Sequence, residues 1–415
     1  MKRNLPNLKL QILSATLLSA VCAAPVFADE TSDETKAISL KEALAKTKPI
    51  FNFRTRYETV DQEGVAETAN ALTYRVRAGL ETGKFANTQF LVEFDHIDDL
   101  VDDFNSTTNG KGAYPVVADP QATELNRLQL TNTSLPDTKI TLGRQRIIMD
   151  DSRFVGNVGW RQNEQTFNAL RVTNESLGNL KIDIAYVNQV NRIFGDESTA
   201  GRWTGDSYLV NVSHPTPLGR VTGFAYMVDA DEASSASSQT IGARLAGTKD
   251  LGDGKLIYAL SYAQQTDFGS SNLDYEADYY LADVAYAFQT FKVGAGYEVL
   301  GGDDQRAFQT PFATLHKFQG WTDKFLGTPA NGVEDLYVSA GYSPGDVGVF
   351  KKVKFAVIYH DFSAEASSLD YGSEIDLVAS AKWESLGFTL KYADYSADDL
   401  SSDTSKFWLQ LDYAF

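Results

Sequence analysis

Apolar and polar residues alternate along much of this chain with a period of two residues. The closing segment shows the pattern most clearly. One face carries Phe407, Leu409, Leu411, Tyr413 and Phe415, and the other carries Lys406, Gln410 and Asp412. Because successive side chains of a β-strand point to opposite sides, this period predicts a strand with one apolar face.

Eighteen segments with strand character follow one another from residue 50 onward. They cover 50–60, 71–83, 87–98, 124–133, 137–147, 166–175, 179–189, 205–213, 219–230, 237–248, 254–266, 274–288, 291–300, 333–342, 351–362, 371–383, 387–395 and 404–415. Most are about ten residues long, which is the length that a tilted strand needs to cross a bilayer.

The gaps between these segments alternate in length. Even-numbered gaps are tight, as at 84–86, 134–136 and 289–290, and odd-numbered gaps include 99–123, 148–165, 190–204 and 301–332. Short turns on one rim and long loops on the other are typical of outer-membrane barrels. A soluble sandwich has no reason to sort its loops in this way. We therefore expect an all-β fold, a transmembrane antiparallel barrel of about 18 strands with short periplasmic turns and long extracellular loops.

The N-terminus predicts export. A basic start with Lys2, Arg3 and Lys9 precedes the apolar run 10–21, and small residues precede a cleavage position after Ala28. This is the pattern of a signal peptide. We expect a signal peptide at 1–28, a periplasmic segment at 29–49 and an outer-membrane barrel at 50–415. The sole cysteine, Cys22, lies in the signal, so the mature chain has no disulfide.

Composition narrows the function classes. Removing the three basic residues of the signal moves the formal net charge from −18 to −21, and a strongly acidic chain binds nucleic acid poorly. The 20 Tyr and 24 Phe suit aromatic girdles at two membrane interfaces. Acidic clusters in the loops, such as 98–103 and 398–403, lack the spacing of a calcium loop. We expect them to be solvated or to meet lipopolysaccharide through divalent ions.

Charged side chains fall on the faces that oppose the apolar ones, and they must point inward because a lipid-facing Arg or Lys costs about 2–4 kcal/mol. The candidate pore-lining residues are Arg54, Arg56, Arg75, Arg77, Arg127, Arg144, Arg146, Arg171, Arg244, Glu58, Glu81, Glu93 and Asp95. Arg144 and Arg146 share the phase of apolar neighbours. Either a bulge at Gly143 returns both to the lumen, which we favour, or both lie near the external rim.

Two roles are open for these arginines. A ring of guanidinium groups would favour anions, particularly carboxylated solutes, by lowering their barrier to entry. Alternatively, the arginines pair with acidic residues on neighbouring strands and stiffen the wall without selecting a solute.

An enzyme hypothesis is weak. The candidate histidines are His96, His214, His316 and His360. His96 and His360 each adjoin an aspartate in a strand, and adjacent strand residues point to opposite faces. We expect no catalytic site, cofactor or metal site.

Several segments resemble the alginate-export family of outer-membrane barrels. They include 114–127, 142–146, the block 159–167 (Gly-Trp-Arg-Gln-Asn-Glu-Gln-Thr-Phe) and 314–325. The resemblance implies an eighteen-strand channel, a monomer, and in the founding exporter an arginine-lined constriction gated by a long second external loop and a long periplasmic turn. Loop 99–123 fits this pattern, whereas the turn 384–386 is very short.

The sequence thus predicts a passive outer-membrane channel for hydrophilic, anionic, sugar-like solutes, narrowed by loops 99–123 and 301–332. Dedicated export of an anionic exopolysaccharide is the alternative, and a non-conducting structural or adhesive barrel is the rival of another class. Outer-membrane lipid, lipopolysaccharide and the barrel-assembly machinery are the expected partners. Phe415 is the expected handle for insertion and closure.

Overall fold

The computed structural model describes residues 39–303 and 305–414. They begin with a short helix, α1 (Leu40–Ala45), whose N-cap Ser39 forms a capping box with Glu42. The strands are β1 (Lys48–Gln62), β2 (Ala69–Glu81), β3 (Thr88–Asp103), β4 (Ala122–Asn132), β5 (Thr138–Gln145), β6 (Thr166–Asn174), β7 (Lys181–Asn191), β8 (Arg202–Thr216), β9 (Gly219–Val228), β10 (Ser238–Leu251), β11 (Gly254–Asp267), β12 (Glu276–Phe288), β13 (Phe291–Leu300), β14 (Val333–Val347), β15 (Phe350–Ser363), β16 (Asp370–Trp383), β17 (Leu386–Ser396) and β18 (Thr404–Ala414). The predicted signal peptide and Phe415 lie outside the described residues.

Each strand pairs antiparallel with the next along the chain, and β1 pairs with β18. The closing register places Phe53 opposite Tyr413 and Arg54 opposite Asp412. The sheet is therefore a closed barrel without a free edge. All eighteen predicted strands are confirmed within the described residues. Strands β3 and β14 each run five residues beyond their expected ends at 98 and 342, and the extension of β3 shortens the following loop to 104–121.

The two faces of the wall differ as the alternation predicts. Leu80 and Phe94 point outward and are 50% and 52% exposed, whereas Arg77 and Asp95 on the same two strands are buried inside. An apolar outer face and a charged inner face are the arrangement of a transmembrane barrel. None of the helices within the described residues is both long and apolar enough to cross a membrane.

Two long external loops fold into the barrel and pack against each other. Loop 146–165 contacts loop 301–332 through a parallel bridge between Val155 and Phe312. Phe154 packs at 5.0 Å from Phe224 and 5.1 Å from Tyr279, both on the inner wall. These loops therefore fill part of the barrel with an apolar core. We expected loop 301–332 to enter the barrel, but did not assign this role to loop 146–165.

The expected bulge at Gly143 is wrong. Strand β5 pairs with β4 and β6 through Gly143 without a register shift. The shift lies instead in β4, where Arg127 and Leu125 face consecutive residues of β3 and Asn126 is the extra residue. Arg146 reaches the lumen because β5 ends at Gln145, so that Arg146 already belongs to the inward-folding loop.

Candidate functional site

Three arginines of β1 and β2 hold the backbone of loop 146–165. The Nη1 atom of Arg54 donates to the carbonyls of residues 159, 160 and 161 at 3.1, 3.2 and 3.3 Å. Arg75 donates to the carbonyl of Gln162 at 3.0 Å. Arg56 donates to the carbonyl of Trp160 and lies 4.0 Å from the centre of its ring. We call this set of contacts the arginine staple.

A second group of arginines pairs with carboxylates. Arg77 bonds both oxygens of Asp95 at 2.7 and 2.6 Å and lies 3.1 Å from Glu164. Arg127 bonds both oxygens of Glu93 at 2.8 and 2.6 Å. Such two-pronged pairs are strong and geometrically specific. We call these pairs, Arg77–Asp95 and Arg127–Glu93, the wall ladder. Glu164 connects the wall ladder to loop 146–165.

Glu164 is the loop's contribution to this ladder. Its carboxylate accepts from Arg146 Nε at 2.6 Å and from Asn126 at 2.6 Å. Burial raises the pKa of this carboxyl, but the positive charges of Arg77 and Arg146 outweigh burial and hold the pKa at about 2. The residue is therefore ionised and joins loop 146–165 to the wall.

The other expected lining residues lie apart from this cluster. Arg171 pairs with Asp183 at 2.5 Å beside a cavity of about 580 Å³ towards the short-turn rim. Arg244 pairs with Asp151 at 2.9 Å beside a cavity of about 240 Å³. Glu81 lies at the end of β2 next to the short turn. Arg144 donates to Asn168 at 3.1 Å and to the carbonyl of Leu125 at 2.7 Å.

Sequence reasoning missed a buried charge network in the loops. Arg161 lies 3.0 Å from Glu58, 3.3 Å from Asp323 and 3.7 Å from Asp119. Asp119 also accepts from the backbone N–H of Gln162 at 2.8 Å, so loop 104–121 reaches the same point. One signal in the sequence could have revealed it. Polar residues are unusually dense in the block 159–167, and a loop that is merely solvated does not require such a run.

The external side of this network opens into a vestibule of about 600 Å³. Its lining includes four basic residues, Arg161, Arg192, Lys324 and Lys406, and one acidic residue, Asp323. Apolar groups such as Phe194 and Leu326 form other parts of its wall. The lining of the vestibule therefore has more basic than acidic side chains, although the formal net charge of the whole chain is −18.

Two of these basic groups have no carboxylate in salt-bridge contact among residues 39–303 and 305–414. Arg192 lies 3.9 Å from the ring centre of Trp203 and 4.9 Å from that of Phe194, and donates to the carbonyl of Ala200. Lys324 lies 5.5 Å from the ring centre of Tyr395. Burial lowers the pKa of Arg192 to about 10 and that of Lys324 to about 8. Both groups are charged at neutral pH.

Solved structures match this fold, although no protein-family model and no curated protein matches the chain. Pseudomonas aeruginosa OpdO is 16% identical with a TM-score of 0.69, and the match covers 90% of this chain and 98% of OpdO. Pseudomonas aeruginosa OccK9 (OpdG) is 14% identical with a TM-score of 0.71, covering 90% and 99%. Pseudomonas aeruginosa OpdK with vanillate is 13% identical with a TM-score of 0.69, also covering 90% and 99%.

The fold is that of an outer-membrane porin. At these identities the likeness shows the fold alone. It confirms the predicted eighteen-strand barrel. It does not support the alginate-export family specifically, so that resemblance stays a prediction.

Two of the four candidate histidines contact aspartates. His316 lies 2.7 Å from Asp323 and His360 lies 2.9 Å from Asp335. The second nitrogen of His316 faces the ammonium of Lys391 at 2.8 Å, where a hydrolase would place a serine. Burial lowers the pKa of His316 to about 3, so its ring is neutral.

Proposed function

We propose that the protein is a passive outer-membrane channel for small hydrophilic solutes and that it favours carboxylated ones. The observation that carries this proposal is the basic vestibule at the external end of the narrowed barrel. Four basic groups against one acidic group lower the entry barrier for an anion. The negative charge of the whole chain would have the opposite effect.

Arg192 and Lys324 are the candidate selectivity residues. A carboxylate that reaches them meets cations without a carboxylate partner, and an aromatic ring behind a guanidinium leaves its N–H donors available. Arg161 and Lys406 are already paired with acids, Lys406 with Asp323 at 2.9 Å. They contribute less to attraction.

The vestibule also suits solutes with an apolar part. Phe194, Leu326 and Pro311 lie in the same lining as the two unpaired cations. A small acid with a sugar-like or ring-shaped body has both features. Vanillate, the compound named with OpdK, is such a small aromatic acid, and this likeness supports the proposal without defining the solute.

The arginines of the first strands have a different role in this proposal. The staple residues Arg54, Arg56 and Arg75 hold the loop that narrows the barrel, and Arg77 and Arg127 stiffen the wall. Their donors already face carbonyls or carboxylates, which supports the ladder rather than the filter for most of them.

Planar-bilayer recording tests the proposal. Folded protein should conduct ions, and the reversal potential in a salt gradient should report a preference for anions. The double variant R192Q/K324Q should lower the ratio of anion to cation permeability, and K351Q, at an exposed short turn, should leave it unchanged. Folded protein that does not conduct would reject the channel and favour the structural or adhesive barrel.

Export of an anionic exopolysaccharide is the second candidate. It is favoured by loop 104–121, because Asp119 joins this second external loop to the inward-folding loop 146–165. The turn between β16 and β17 is only 384–385, which leaves no room for a periplasmic gate. Block of the ion current by a polyuronate added on the periplasmic side would support export, and current block by monomeric acids alone would reject it.

A further inference from the structure

Lys391 on β17 points its ammonium group into a cage of three tryptophan rings. The Nζ atom lies 3.6 Å from the ring centre of Trp321, 4.2 Å from that of Trp160 and 5.2 Å from that of Trp408. Indole faces attract a cation strongly when water is excluded, and Lys391 is buried. Trp160 and Trp321 belong to the two inward-folding loops, whereas Trp408 belongs to the barrel wall.

His316 makes a polar contact with this ammonium. Its Nε2 atom lies 2.8 Å from Lys391 Nζ, and its ring stacks on Trp160 at 4.7 Å with an angle of 6°. Lysine can only donate, so Nε2 accepts and Nδ1 donates to Asp323 at 2.7 Å. One side chain of the wall thereby joins loop 146–165 to loop 301–332.

The cage lies next to two cavities of the barrel. His316 lines the external vestibule of about 600 Å³, and Trp321 lines the inner cavity of about 240 Å³. Both residues contact Lys391. The layer of His316, Trp160, Lys391 and Trp321 therefore adjoins both spaces, and in the proposal below it acts as a partition between them.

A second partner for Lys391 lies on the neighbouring strand. Lys391 pairs directly with Val378 of β16, which places Asp376 diagonally on the same face, about 7–8 Å away. Asp376 is fully buried, and neither of its carboxylate oxygens makes a hydrogen bond of standard geometry within the residues that the structure describes. His360 Nε2 lies 3.7 Å from one of them, which is too far for a hydrogen bond. Glu374, two residues earlier in β16, lies on the same face of the strand.

A buried carboxylate without hydrogen bonds is unfavourable, and so is a buried lysine cation without a carboxylate in contact. The two groups are close enough for a rotation of the lysine side chain to bring them together. That rotation would remove the ammonium from the cage and from His316. With that rotation the region would have two discrete arrangements, which is what a gate requires.

We propose that Lys391 is the gate residue of this barrel, caged by the three tryptophans in the closed partition and paired with Asp376 in the open one. The inference rests on the proposed channel function. Loop 301–332 is shaped for the closed arrangement. Gly320 has φ 77°, and a Cβ there would lie 2.4 Å from the carboxylate of Glu374, which also accepts from the N–H of Thr322 at 2.8 Å.

Three substitutions separate this gate from a purely structural lysine. K391M keeps the bulk of the side chain and removes the charge, so it fills the cage but cannot pair with Asp376. D376N removes the alternative partner. Both should hold the partition closed, and the double variant should be no more closed than either single variant. K391A empties the cage and should open the partition.

Two readouts are needed. In bilayers, K391M and D376N should lower the open probability roughly tenfold, equivalent to about 1.4 kcal/mol. Acrylamide quenching of Trp160, Trp321 and Trp408 in a W203F/W383F background does not depend on conduction. Quenching should fall in K391M and D376N and rise in K391A. The matched control K382M, at an exposed lysine of β16, should leave both readouts unchanged.

The outcomes distinguish the two proposals. If the unaltered protein does not conduct while the quenching series follows this order, the channel proposal fails and the lysine switch stands. If the protein conducts but D376N matches it in open probability and quenching, or K391M opens the partition, Lys391 is not the gate.

Discussion

Arg77 and Asp95 face each other directly across β2 and β3 and form two parallel hydrogen bonds of 2.7 and 2.6 Å. The Asp95 side chain is fully buried, and that of Arg77 is 9% exposed. Glu164 of the inward-folding loop lies 3.1 Å from the same guanidinium. The pair therefore connects two strands and a loop at one point.

The R77A variant should be strongly destabilised. Removing one partner of a buried ion pair leaves an uncompensated charge and costs about 3–5 kcal/mol. Urea unfolding in detergent micelles, followed by tryptophan fluorescence, measures this loss in the free energy of unfolding.

The matched control is K351A. Lys351 pairs with Asp346 at 3.0 Å, but both side chains are more than half exposed, so the loss should stay below about 1 kcal/mol. The ratio of anion to cation permeability should change little in R77A. A large drop in that ratio with unchanged stability would contradict the structural role of Arg77 in the wall ladder. It would favour a role in anion selection instead.

The arginine staple gives a second prediction. R54A removes the donor that serves three carbonyls, and a hydrogen bond to a charged group contributes about 1.5–3 kcal/mol. Segment 159–162 should then detach more often. Single-channel conductance should rise, and trypsin should cleave after Arg161, which is buried in the native loop.

A control for the staple lies on the short-turn side of the barrel. Arg220 donates to Ser213 at 3.0 Å. Within the residues that the structure describes, it makes no hydrogen bond to loop 146–165. R220A should therefore leave conductance and cleavage at Arg161 unchanged. Equal effects of R54A and R220A would show that the staple does not position the loop.

The fold could be predicted from the sequence because its signals are local. A strand repeats every two residues, so the alternation of Leu80 and Glu81 or of Phe94 and Asp95 assigns each side chain to a face. The alternation of short and long gaps then orders the hairpins. The ends of strands were harder to predict. Strand β3 continues through 99–103, where acidic residues interrupt the alternation of apolar and polar side chains.

The site could be predicted only in part, because its contacts are not local. The donors Arg54 and Arg75 were identified from their phase, but their acceptors are backbone carbonyls about a hundred residues away. Carbonyls leave no mark in the sequence. Lys391 was missed for a related reason. Its special environment depends on tryptophans from two distant loops, and the sequence does not show that these loops fold against it.

The C-terminal residue gives a third prediction. Phe415 lies outside the described residues, but Tyr413 pairs with Phe53 at the seam between β18 and β1. Deleting Phe415 should lower the yield of folded barrel in the outer membrane, measured by its heat-modifiable mobility in gels. F415Y retains the aromatic ring and should restore the yield. Altered ion selectivity in the inserted fraction of the deletion variant would contradict a role confined to assembly.

Lys324 makes anion selectivity dependent on pH. Burial lowers the pKa of its ammonium group from 10.5 to about 8, so the vestibule loses one positive charge as the pH rises through that value. The ratio of anion to cation permeability should therefore be high at neutral pH and lower about one pH unit above 8. Reversal potentials measured in a salt gradient at each pH give this ratio. K324Q should have the low ratio throughout and K324R the high one, because arginine stays charged. A pH step that persists in K324Q would assign the titration to another group.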